Sequence, residues 1–103
     1  MKIYIAGPYS GGDPIANVRR AIRVADAIAA LGHIPFVPHL THFWHQISPH
    51  RYEFWLDYDM HWLELCDAVY RIDGASPGAD REVRRAVEAG MPVYYSLEEL
   101  EEI

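Results

Sequence analysis

Two acidic residues stand where a carboxylate could do more than solvate a surface: Glu82 and Asp59. Glu82 ends the stretch Gly74-Ala-Ser-Pro-Gly-Ala-Asp-Arg-Glu82, between an apolar run, Asp67–Ile72, and a helical segment that Gly90 stops. A strand that ends in a Gly/Ser/Pro loop and turns into a helix is where open α/β sheets place ligands. With the helix beginning near Asp80, Glu82 falls in its first turn. There it faces free N–H groups and the positive end of the helix dipole, which should keep it ionised. An ionised carboxylate beside a ligand crevice can act as a nucleophile; the same position also suits an acid that only stabilises a helix end. Asp59 lies on a second helix, from about Arg51 to Cys66. On the wheel it falls near the centre of an apolar face made by Tyr52, Trp55, Leu56, Met60, Trp62, Leu63 and Cys66. Glu53, Asp57, His61 and Glu64 fall on the other side. A carboxyl on a core-facing stripe is costly unless it faces a wet pocket or is held by a partner such as Tyr52.

Two loops offer hydrogen-bond donors. Gly7-Pro-Tyr-Ser-Gly-Gly12 lies between a strand and a helix and can present the amides of Gly7, Ser10, Gly11 and Gly12 to an anion, or simply turn. It matches neither the dinucleotide fingerprint nor the Walker pattern. Ser76 and Gly78 could approach the same crevice from the other side. His39, His42 and His45 recur at every third residue, with His50 and His61 beyond. Such a set could bind zinc, but Pro38 and Pro49 flank the segment and suggest irregular backbone that does not aim three rings at one point. A lid or subunit contact built from Phe43, Trp44, His45 and Trp55 is the competing reading. No metal and no cofactor is expected.

The elements that must position these groups alternate. Ile3–Ala6 is a strand buried on both faces. Asp13 and Pro14 start a helix that runs to about Leu31, its apolar face formed by Ile15, Val18, Ala21, Ile22, Ala25, Ile28 and Ala29. Ile34–Val37 is a second strand, with Pro35 marking an edge. After the Arg51–Cys66 helix come the strand at 67–72, the helix after the opening loop, a strand at Pro92–Tyr95 and a short helix capped by Ser96. This β-α-β-α-β-α-β-α order predicts one domain, residues 1–103, with a four-stranded parallel sheet in the order 2-1-3-4. The switch point between the first and third strands is a crevice bordered by the two loops.

The chain has 103 residues and a net charge of −6, which argues against a nucleic-acid polymer as partner. Cys66 is the only cysteine, so no intrachain disulfide is expected and a reducing cytoplasm fits. Lys2 leads into a strand rather than a long apolar core, and no apolar run is long enough to span a membrane. Phe54, Tyr58, Trp62 and Leu65 form a second apolar stripe that predicts a homo-oligomer.

Laid out this way, the chain resembles the nucleoside 2-deoxyribosyltransferase superfamily, including its 2'-deoxynucleoside 5'-phosphate N-hydrolase branch. The resemblance lies in Lys2–Gly12, in Asp59 within Asp57–Asp67, and in Ser76–Glu82. It implies a small flavodoxin/Rossmann-like three-layer sandwich and a small-molecule nucleoside or nucleotide substrate. The implied chemistry is cleavage or transfer at an N-glycosidic bond. Glu82 would form a glycosyl ester, Asp59 would orient the substrate or pass a proton, and Tyr4 would be the active-site tyrosine that positions Glu82 or the sugar. In the phosphate-accepting branch, Ser76 would contact a 5'-phosphate; Pro8 departs from that branch's loop. The loops lead to the expectation of a 5'-monophosphate substrate with water as acceptor, the free deoxynucleoside being the runner-up. A nucleotide-binding module without turnover, or a metal-dependent hydrolase built on the histidines, would use the same residues differently.

Overall fold

The central strand β1 (Lys2–Ala6) alternates its side chains between two cores, and this places the helices. In the computed structural model, which describes residues 1–103, Ile3 and Ile5 pack against Ala21, Ala25 and Ile28 of α1 (Pro14–Ala30) and Leu100 of α5 (Leu97–Glu101). Tyr4 and Ala6 point to the opposite face, against Leu63 of α3 (Tyr52–Leu63) and Ala79 and Ala86 of α4 (Pro77–Glu88). Each fully buried isoleucine contributes about 2 kcal/mol from apolar area removed from water. β1 pairs in parallel with β2 (Ile34–Phe36) and β3 (Ala68–Arg71), and β3 with β4 (Val93–Tyr94). The four-stranded sheet has the order β2-β1-β3-β4, as expected, with the Pro35-bearing strand at its edge.

Three local expectations are corrected. The stripe on α1 is narrower than its sequence period: Val18, Ala21, Ala25 and Ile28 are buried, whereas Ile15 and Ile22 are exposed. Ile15, Ile22 and Ala29 recur every seventh residue along one flank of the helix, outside the face that the sheet covers. The helix α4 begins at Pro77, not near Asp80. The Ser76 hydroxyl accepts from the Ala79 N–H at 3.1 Å, and Pro77 takes the first helical position. The histidine-rich segment is not irregular. A 3-10 turn at Pro38–Leu40 runs into α2 (Thr41–Ile47), which ends just before Pro49.

The two loops that border the crevice touch each other. A Cβ on Gly7 would lie 2.9 Å from the Ile72 Cβ, so only glycine lets the chain leave β1 this close to the end of β3. Gly74 has φ +118°, and a Cβ there would lie 3.0 Å from the Pro8 ring. On the outer face of α3, Phe54, Tyr58, Trp62 and Leu65 border an open apolar groove. No helix is long and apolar enough to cross a membrane.

Candidate active site

A cavity of about 490 Å³ opens at the carboxyl ends of β1 and β3. Its volume suits a small organic ligand. Gly7, Ser10 and Gly11 line one side; Ser76, Gly78 and Glu82 line the other, with Asp59 between them on α3. Gly12 and Tyr4 are not on its wall. Gly12, at φ +77°, turns the chain toward α1. Tyr4 is fully buried behind Glu82, so its contact is with the carboxylate and not with a ligand.

Glu82 belongs to the second turn of α4, because the helix starts at Pro77. It shares a buried stripe with Ala79 and Ala86, at three- and four-residue spacing. The free N–H groups of the helix end are therefore not its partners, and it is not held ionised by them. Burial pushes its carboxyl up to about 8; the Tyr4 hydrogen bond opposes this, the nearby Asp59 adds to it, and Arg71 and Arg81 oppose it more weakly. Burial also pushes Asp59 up to about 7. Its Oδ1 is buried with no hydrogen-bond partner, and so is not held by Tyr52 or by a loop. The two carboxyls titrate close together, and near pH 7 to 8 the pair holds about one proton. The geometry chooses where that proton is useful. The Tyr4 hydroxyl donates to Glu82 Oε2 and favours the carboxylate, yet burial still leaves Glu82 the higher of the two, so the productive arrangement, Glu82 ionised and Asp59 protonated, is the less populated singly protonated form. Burial and the Glu82 charge hold the Tyr4 phenol well above its ordinary value, so it remains a donor.

Tyr4→Phe is accordingly expected to slow turnover by about 10- to 100-fold and to move the acid limb of the pH–rate profile upward, since it removes the leading interaction that favours ionised Glu82. An unmoved limb would show that Tyr4 only fills space.

The loop side carries donors but no cation. The N–H groups of Tyr9 to Gly12 make no hydrogen bond within the protein, while the Asn17 side-chain amide donates to the Tyr9 and Gly11 carbonyls and pins the turn. The α1 N-terminus is already occupied, with Asp13 accepting from Ile15 N–H at 3.0 Å. No lysine or arginine lines the cavity. Arg20 and Arg71 instead donate to the carbonyls of Asp73 and Gly74 and fix the loop ahead of α4; Arg71 also pairs with Asp80 at 3.0 Å.

The wall opposite β3 comes from the segment that the sequence left open. His39 and His45, with Tyr9, His50, Tyr52 and Trp55, line the cavity. The three spaced histidines do not converge on one point; each has its own partner. His39 Nε2 lies 3.1 Å from the Pro8 carbonyl, so it carries the hydrogen, and burial lowers its pKa. His42 Nδ1 lies 2.5 Å from the Tyr9 hydroxyl. His45 Nδ1 accepts from Trp55 Nε1–H at 2.8 Å. Sequence reasoning placed His45 and Trp55 in a lid or subunit contact; the structure puts both on the cavity wall, and Phe43 and Trp44 on the exposed side. The missed signal was the prolines: Pro38 and Pro49 bracket a short helix as its start and stop.

Residues 1–96 match the model of a family described as a domain of unknown function (DUF7768). A comparison with curated proteins gives no match. Among solved structures, a 2-deoxyribosyltransferase from the psychrotolerant bacterium Bacillus psychrosaccharolyticus superposes with a TM-score of 0.68 at 20% identity, over 90% of this chain and 69% of that chain. This likeness establishes a shared fold.

Proposed function

We propose that this chain, which belongs to the DUF7768 family, cleaves the N-glycosidic bond of a 2'-deoxyribonucleoside through a covalent intermediate on Glu82. The observation that carries the reading is the carboxyl pair, Glu82 on α4 and Asp59 on α3, facing one cavity with about one proton between them. A Glu82 oxygen attacks the anomeric carbon as the bond to the base nitrogen breaks, and Asp59 gives its proton to that nitrogen. Asp59, now a carboxylate, takes a proton from water as the water oxygen attacks the same carbon and Glu82 departs. Two inversions retain the configuration. A second base in place of water makes the reaction a transfer. The fold shared with a 2-deoxyribosyltransferase supports the substrate class.

The charge of the cavity favours the unphosphorylated nucleoside over the 5'-monophosphate expected from the loops. Two carboxyls line the cavity and no lysine or arginine offsets them. The loop amides remain as donors for the 5'-hydroxyl end. The test is base release from a panel of deoxynucleosides and their 5'-monophosphates, with and without a free acceptor base. Base should appear, with higher kcat/KM for the nucleosides. No release from any of them would overturn the proposal and leave a binding module; a preference for the monophosphates would restore the loop-based reading.

The apolar stripe of Phe54, Tyr58, Trp62 and Leu65 is the surface for a second copy of the chain. Leu65 is 64% exposed and Trp62 41%, more than a lone surface residue needs. Light scattering at micromolar concentration should read a dimer or larger; a monomeric mass refutes this contact.

A further inference from the structure

His45 is fixed in its role by what surrounds it. Its Nδ1 accepts from Trp55 Nε1–H at 2.8 Å and from the His50 backbone N–H at 3.2 Å. An indole N–H and a backbone N–H can only donate, so Nδ1 must present a lone pair. The neutral ring then carries its hydrogen on Nε2, and no protein group accepts from it. The result is a neutral donor on the cavity wall, locked to α3 through Trp55 and to the turn before α3 through His50.

Helical spacing says which part of a ligand meets it. Trp55 and Asp59 are four residues apart on α3 and so lie on one face, one turn apart. Asp59 is the acid for the departing base nitrogen, and the tryptophan beside it holds His45. Trp55 gives the wall beside His45 a flat aromatic surface, while the Tyr52 hydroxyl lies against Gly78 at the start of α4. The base belongs against Trp55 and His45, and the sugar beside Glu82.

We propose that His45, through Nε2–H, donates to an acceptor on the base edge and so selects the leaving group. A carbonyl oxygen or ring nitrogen of the base is the chemical match. Negative charge that grows on the base as the bond breaks strengthens this hydrogen bond, so the contact acts on turnover as well as on binding. The inference rests on the deoxynucleoside reading of the cavity.

Two substitutions separate the donor from the scaffold. His45→Asn keeps an oxygen near the Nδ1 position for Trp55 and His50 and removes the distal N–H. His45→Gln places an N–H near the Nε2 position and removes the Nδ1 acceptor. His45→Asn should keep Tm near wild type and lose about tenfold or more in kcat/KM. The loss should be uneven across the bases, flattening the wild-type preference. His45→Gln should lower Tm and keep the order of base preference. The opposite pattern, with His45→Asn near wild type for every base, overturns the proposal. Calorimetric binding of free adenine, hypoxanthine, thymine and cytosine to both variants makes the test independent of turnover. If wild-type protein releases no base from any nucleoside, the glycosidase reading fails, and the binding series still decides His45. Weaker, less selective base binding by His45→Asn upholds its role, and unchanged binding or no binding to wild type removes it.

Discussion

Glu82→Gln should fold normally and lose turnover by at least about 10³-fold, the scale seen when a covalent nucleophile is removed. The glutamine keeps an oxygen to accept from Tyr4 and keeps the volume between Ala79 and Ala86, so the packing of α4 on β1 survives. What it lacks is the anion. The stability comparison has a definite sign. Burial raises the Glu82 pKa from 4.5 to about 8, so the folded state binds this proton more tightly than the unfolded chain does. That contribution is whole below about pH 4 and is progressively lost as pH rises toward 8. Glu82→Gln has no such loss and should gain on wild type by roughly 4 kcal/mol between pH 4 and pH 8, read by denaturant unfolding at both. Acid-quenched wild-type protein should also carry a deoxyribosyl mass on the peptide containing Glu82, and the variant none. A folded Glu82→Gln protein that turns over near the wild-type rate would falsify the mechanism.

That glutamate also shows how far the sequence could be read. The loop-to-helix segment around it was legible as the crevice wall, because a Gly/Ser/Pro loop after an apolar run is a strong local signal. Its environment was not. A start near Asp80 overlooks Ser76-Pro77, the same cap-and-proline signal that locates α1 at Asp13-Pro14. Started at Pro77, the helix puts Glu82 on the stripe of Ala79 and Ala86, inside the molecule, and the expected support from free N–H groups vanishes. An error of one turn changed a dipole-stabilised carboxylate into a desolvated one.

The sheet was legible for a different reason. β1 and β3 are buried on both faces and read as unbroken apolar runs, and Pro35 can be placed only at an edge. The histidine wall was not legible. Its helix has seven residues, too short for periodicity to show, and His39, His42 and His45 are each tied to a partner distant in sequence or held by tertiary packing. Hydrogen bonds of that kind leave no spacing to detect. Tyr9 is similar: its place on the wall depends on Asn17 holding its carbonyl and on His42 meeting its hydroxyl.

Asp59→Asn against Asp57→Asn is the second large contrast. The two aspartates are two residues apart on α3 and point to different sides. Asp57 is exposed, its closest charged neighbour being His61 at 3.8 Å, and its substitution should change kcat/KM by less than about twofold. Asp59 lines the cavity, and its Oδ1 has no partner. Its substitution removes the acid for the base and should cost about 10²- to 10³-fold. The cost should depend on the leaving group, largest for bases that depart poorly without a proton. The pH–rate profile carries the finer test. Wild type should be bell-shaped with a narrow maximum near pH 7 to 8, activity falling in acid as the pair takes up its second proton and in base as it loses its last. Asp59→Asn should lose the basic limb and keep the acidic one. Its acid limb should not move down, because Asp59 is already uncharged when Glu82 takes up that proton. Stability follows the same sign as for Glu82: the Asp59 pKa rises from 3.8 to about 7, so the wild type loses stability relative to Asp59→Asn between about pH 4 and pH 7. Equal losses at positions 57 and 59, or a basic limb that survives in Asp59→Asn, would remove Asp59 from the chemistry.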